Sequence, residues 1–208
     1  METTKLAFCR HITAFCLQCG IVLAVLIASL APASAQTSVS VPGNAGGCFG
    51  NNPGGGNSEC VPFVSALAVS GPGTITITYV SGIVHWVMPN ANTAGPEGVS
   101  CPTVNCGVSQ TPLLEGRGVQ PTNGTIHAVA GLIGVFVPQE RVQAPGFQAL
   151  DGTKNVAAVG IMPGDLFLVG RSKTITVTEA GTLFLGINDW YVPDNGGAFN
   201  VTVTYTPS

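Results

Sequence analysis

The run Asn188-Asp189-Trp190-Tyr191-Val192-Pro193-Asp194-Asn195-Gly196-Gly197 is where residue types and spacing point to chemistry. Two carboxylates and two carboxamides fall within eight residues, although the whole 208-residue chain has only ten Asp and Glu. This is a local concentration of hard oxygen donors. Calcium takes about six to eight such oxygens, from carboxylates, amide and backbone carbonyls and water. Asp189 follows one expected strand, and Asp194 and Asn195 precede the next, so a closed loop brings the three together. Asp, Asn and Gly are also ordinary hairpin residues, because they cap turns and tolerate positive φ. Spacing alone therefore leaves a cation site and a plain turn both open.

The elements that position this loop are strands. Leu166–Val169, Lys173–Thr178, Thr182–Ile187 and Phe199–Tyr205 are short β-branched or alternating runs separated by turn residues. In the last, Phe199, Val201, Val203 and Tyr205 share one face and Asn200, Thr202 and Thr204 the other. Upstream, 63–69 reads as a buried strand. Thr74–Val80 alternates with Ile75, Ile77 and Tyr79 on one side, and Ile83–Met88 is expected to return as its partner across Ser81-Gly82. Ile126–Val137 is apolar enough for a central strand bent at Gly131 or Gly134. Trp86, among Val84, Val87 and Met88, is expected in the core. Roughly seven to nine strands with no helical pattern after the N-terminus predict an all-β fold, a β-sandwich.

Residues 1–35 are set apart. Lys5 and Arg10 precede an apolar run, Ile21–Leu30, then Pro32 and Ala33-Ser34-Ala35. This pattern predicts a cleaved secretory signal peptide, and the run is too short for a membrane span of about 20 residues. The expected organisation is signal peptide 1–35, a Gly-rich stapled segment 36–61, and a β-sandwich 62–208. Secretion, or a periplasmic or cell-surface position, follows. After residue 35 four cysteines remain, Cys48, Cys60, Cys101 and Cys106. An even number in an exported chain predicts disulfides. Three pairings are open, and Cys48–Cys60 with Cys101–Cys106 is the most economical, each closing a short loop. Zinc is disfavoured, since no C-x2-C spacing or nearby histidine accompanies them.

Charge and motifs exclude other classes. Beyond residue 35 only Arg117, Arg141, Lys154, Arg171 and Lys173 are basic, which leaves no patch for a phosphate backbone, so nucleic acid is not an expected partner. No nucleophile elbow, zinc-protease helix or phosphate-binding loop occurs. His85 and His127 fall in expected strands, where a histidine is ordinarily hydrogen-bonded or at the surface. Binding is expected rather than catalysis. Asn123-Gly124-Thr125 and Asn200-Val201-Thr202 are glycosylation sequons, with meaning only in a host that glycosylates exported chains.

The segment LFLGIND (183–189) followed by DNGGAFNVTV (194–203) resembles the C-terminal strand–loop–strand of the bacterial calcium-dependent galactophilic lectins of the PA-IL type. In that family of small β-sandwiches, an N-D pair ends one strand and an N-N-S-G-S-F run opens the last. They hold a calcium ion that coordinates two galactose hydroxyls. The resemblance implies Asp189 as the first ligand, Asp194 and Asn195 as the two that follow, a backbone carbonyl of Tyr191 or Val192 as another, and Asn188 beside the first. Upstream, SGIVHW (81–86) and AGPEG (94–98) resemble an earlier strand and loop. They imply a further backbone ligand near Met88, Pro89 or Asn90. VAGLIGVFVP (129–138) resembles the strand after these. The likeness is densest over 166–205.

The chain departs from the pattern in four places. The loop is two residues shorter between Asp189 and Asn195, and Asp194 stands where the family has asparagine. After Gly98 the His- and Gln-bearing segment that contacts sugar is missing, and residues 138–164 carry a long insertion. Trp190 or Tyr191 offers an aromatic face that stacks on a pyranose in place of that segment, or packs back on the sandwich rim. The expectation is a secreted, calcium-dependent carbohydrate-binding protein, with galactose-containing glycans as ligand class. Asn188, Trp190 and Tyr191 are the candidate sugar contacts. The alternative is a structural or surface-associated module whose loop is calcium-stiffened or metal-free.

Overall fold

The computed structural model describes residues 34–46, 63–86, 92–102, 125–142, 165–189 and 195–208; for 101–102 and 125–127 only the backbone is considered. The chain divides into two units, Met1–Ala33 and Ser34–Ser208, and the description concerns the second. Its elements are β1 (Ala35–Pro42), β2 (Val64–Val69), β3 (Gly73–Trp86), β4 (Asn92–Ala94), β5 (Val99–Pro102), β6 (Thr125–Val129), β7 (Leu132–Pro138), α1 (Gln139–Val142), β8 (Phe167–Leu168), β9 (Ser172–Val177), β10 (Gly181–Ile187) and β11 (Gly196–Pro207). All strand pairs are antiparallel. The first sheet runs β1-β11-β3-β4, with β9 also on β3; the second runs β2-β10-β7-β8; β5 and β6 form a two-stranded ribbon.

Alternation makes the core. Phe199, Val201, Val203 and Tyr205 are buried on β11, and Ile75, Ile77, Val84 and Trp86 on β3. They join Leu132 from β7 and Leu183, Leu185 and Ile187 from β10 in one cluster between the two sheets. Each such side chain contributes roughly 1.5–3 kcal/mol through removal from water. The molecule is therefore an all-β sandwich, as the alternation predicts, and Trp86 is in its core.

Three strand assignments differ from the sequence reading. Ser81-Gly82 is not a turn: β3 runs unbroken for 14 residues. Its pairing with β11 slips from Ser81↔Asn200 to Tyr79↔Val201, leaving Val80 as the extra residue of a bulge. The bulge resets parity, so that Ile75 and Ile77 before it and Val84 and Trp86 after it all face inward. Gly82 is required by close approach: φ is +108°, and a Cβ there would lie 2.1 Å from the Ala198 carbonyl oxygen. The Tyr79 hydroxyl donates to the Gly82 carbonyl at 2.7 Å, and Val80 is pushed out into solvent.

Residues 126–137 are not one bent strand either. They divide into β6, paired with β5, and β7, in the second sheet. The chain switches at Ala128 and Ala130, both left-handed with φ of 53° and 58°. Lastly, residues 36–42, assigned above to a loose stapled segment, form β1, paired with β11 along its whole length. The sandwich therefore begins before residue 62. Cys48, Cys60 and Cys106 lie outside the described residues, and of Cys101 only its backbone, in β5, is described. Among the described residues no helix is long and apolar enough to cross a membrane.

Candidate functional site

At one end of the sandwich, β10 finishes at Ile187 and β11 opens at Gly196, so the oxygen-rich run is carried between the two sheets. Among the described residues the buried polar side chains are Thr182, Asn188, Asp189 and Asn195. Three of those four flank this one loop. Burying polar atoms costs free energy unless they are answered, so the way each is held carries information.

Asn188 is fully buried, and its Nδ2 donates to the Ala128 carbonyl at 3.0 Å. Its backbone N–H donates to Gly131 O, and its carbonyl accepts from the Ala130 N–H. Those bonds brace the left-handed Ala128 and Ala130, whose conformations cost about 1–3 kcal/mol each. The sequence reading gave Asn188 a sugar contact; its carboxamide faces the β6–β7 switch. Asp189 follows at 4% exposure, with its N–H on the Ile187 carbonyl at 3.0 Å.

Asn195 is 9% exposed, and its Nδ2 donates to the Gly43 carbonyl at 3.0 Å. That bond fixes the orientation of the carboxamide, because a carbonyl oxygen only accepts. The other end, Oδ1, is buried and has no hydrogen-bond partner. Two further buried atoms share this condition among the described residues, His85 Nδ1 and Trp86 Nε1. They belong to the last two residues of β3, and His85 is the register partner of Gly196. The three atoms thus belong to the last two residues of β3 and to the residue just before β11, with His85 and Trp86 on opposite faces of the strand. For His85, a half-buried ring with an unanswered nitrogen differs from the satisfied or surface histidine that its strand position suggests.

The turn after β1 ties the loop stems together. Gly43 N–H donates to Gly197 O, Ala45 N–H to Pro42 O, and Ile187 N–H to Ala45 O, each at 2.9 Å. Residues 43–45 thereby join the start of β11 in the first sheet to the end of β10 in the second. Asp189 and Asn195 stand at the two stems so linked. The sequence reading missed this turn, although Val39 and Val41 alternating with Ser38 and Ser40 carry the strand signal that leads into it.

Trp190, Tyr191, Val192 and Asp194 lie outside the described residues, as do Met88, Pro89 and Asn90. Among the described residues no group of three or more His, Cys, Asp and Glu is assembled to hold a metal. A cation here would depend on a mixed set of carboxylate, carboxamide and backbone oxygens, the set that suits calcium.

No family model matches the chain, and no curated protein does. Among solved structures the chain is similar to one described as "EclA N-terminal domain; PllA-like lectin", at 20% identity and a TM-score of 0.38, over 81% of this chain and 94% of that chain. A likeness of that size carries no argument about the site.

Proposed function

We propose that this is an exported carbohydrate-binding protein, not an enzyme, whose loop-bearing end holds calcium. Asp189 and Asn195 would supply side-chain oxygens, with Asp194 and a backbone carbonyl of Tyr191 or Val192 completing the protein's share. The observation that supports the reading is the Asn195 carboxamide, with its nitrogen committed to Gly43 and its oxygen buried and unanswered. A buried acceptor in that condition costs about 1–3 kcal/mol, and a hard cation is the kind of partner that recovers it. Bound calcium would take sugar hydroxyls into its remaining coordination positions. Trp190 or Tyr191 would add an aromatic face against the apolar side of a pyranose. Galactose-containing glycans are the first class to try, on the motif resemblance.

The burial of Asp189 to 4% exposure favours a second reading, in which the ion only stiffens the loop and no position stays open to sugar. A glycan array probed with calcium and again with EDTA, beside a calorimetric calcium titration, separates the readings. Calcium binding with EDTA-sensitive glycan retention supports the first. Calcium binding without glycan retention supports the second, and no calcium binding defeats both.

A further inference from the structure

We infer that Gly43 is a positioning residue of this site: its carbonyl decides which end of the Asn195 carboxamide is turned toward the ion. The inference rests on the calcium reading above. The two ends of a carboxamide have nearly the same shape and opposite chemistry, one donating and the other accepting. Rotated by half a turn, Asn195 would offer a cation two N–H bonds in place of an oxygen. The Gly43 carbonyl forbids that rotamer, because it accepts only and already takes the Nδ2 hydrogen at 3.0 Å.

Gly43 can do this because it is itself held. Its N–H donates to Gly197 O, and the turn it belongs to closes through Ala45 N–H on Pro42 O. The turn is then fastened to β10 through Ile187 N–H on Ala45 O. A side chain at 43 has no room: its Cβ would lie 2.3 Å from the Gly196 carbonyl oxygen and 2.9 Å from the carbon bearing it. Both are backbone atoms at the opening of β11, so any side chain shifts the turn away from Asn195. A residue 152 positions away in sequence thus sets the polarity of the ligand.

The test is calcium affinity, read by calorimetry and by terbium luminescence, on the full chain and on Gly43→Ala, Asn195→Asp and Asn200→Asp. Asn200 is exposed on β11, the strand that Asn195 leads into, and serves as control. Gly43→Ala is expected to weaken calcium about tenfold, the scale of one lost buried hydrogen bond. Asn195→Asp carries the sharper sign. If the site needed only an oxygen, a new carboxylate would tighten calcium. Here it is expected to weaken it, because the donor to Gly43 is gone and a second oxygen faces that carbonyl. Asn200→Asp should leave affinity unchanged.

Calcium binding by the wild type with tightening in Asn195→Asp, or with full affinity in a folded Gly43→Ala, overturns the positioning role and leaves the calcium reading standing. A wild type that binds no calcium overturns both. Should Gly43→Ala not fold, the sign of Asn195→Asp decides.

Discussion

Across the outer face of the first sheet, polar residues stand in register from strand to strand: Ser38–Thr202–Thr78–Ser172 in one row and Gln36–Thr204–Thr76–Thr174 in the next. At the loop-bearing end the buried polar side chains among the described residues are Asn188, Asp189 and Asn195. The residue chemistry is similar and the setting opposite. On the face, the groups are exposed or half-exposed to solvent, so contacts such as Thr76 Oγ1 to Thr174 Oγ1 at 3.2 Å or Asn200 Nδ2 to Ser81 Oγ at 3.3 Å add little to stability. At the end, the protein must answer each group itself. It does so for two carboxamide nitrogens, through Ala128 and Gly43, and leaves one oxygen unanswered. Polarity alone thus says little about function; a buried polar atom with its orientation fixed and its partner absent says more.

Substitutions at the two regions should separate by size. The largest effect is expected at Asn188→Leu, which frees the Ala128 carbonyl and loosens two left-handed residues. A loss of about 3 kcal/mol is expected, measured by urea unfolding. A loss below about 1 kcal/mol would erase the contrast between end and face. Gly82→Ala should follow at about 2 kcal/mol, since it forces a side chain against the Ala198 carbonyl at positive φ. Asn195→Leu in calcium-free buffer should change stability by only about 1 kcal/mol. It loses the bond to Gly43 and also removes the unanswered oxygen, and these effects oppose one another. The same variant should lose all response to calcium. On the outer face, Thr76→Val should stay within about 0.5 kcal/mol. So should Glu97→Gln, because its 2.9 Å bridge to Arg171 is solvent-exposed.

How much of this was legible in the sequence depends on how far apart the partners lie. β11 and the first half of β3 were readable because one face is buried and the other wet, which writes period two into the residues. β10 was readable as a short apolar run. The bulge was not, because Ser81-Gly82 has the same letters whether it turns the chain or lets Ala198 approach. Nor was the switch at Ala128 and Ala130: nothing in an alanine announces a left-handed backbone, and its brace, Asn188, is 60 residues away. β1 alternates, but the glycine-rich run after it drew residues 36–42 into the loop assignment. At the site, Asp189 and Asn195 were visible as a local excess of oxygen donors. Gly43 was invisible, because its role exists only once β1 lies beside β11.

Whether Asp189 and Asn195 flank a calcium site can be read from thermal unfolding in excess calcium and in EDTA, with Asp189→Ala alongside. Calcium at about 100 times its dissociation constant should add roughly 2.7 kcal/mol. For a domain of this size that is a rise in Tm of roughly 5–11 °C. That rise is expected in the wild type and not in Asp189→Ala. Cooperative melting at the same temperature in both buffers would contradict the calcium site, and would leave the buried Asn195 oxygen without the partner proposed for it.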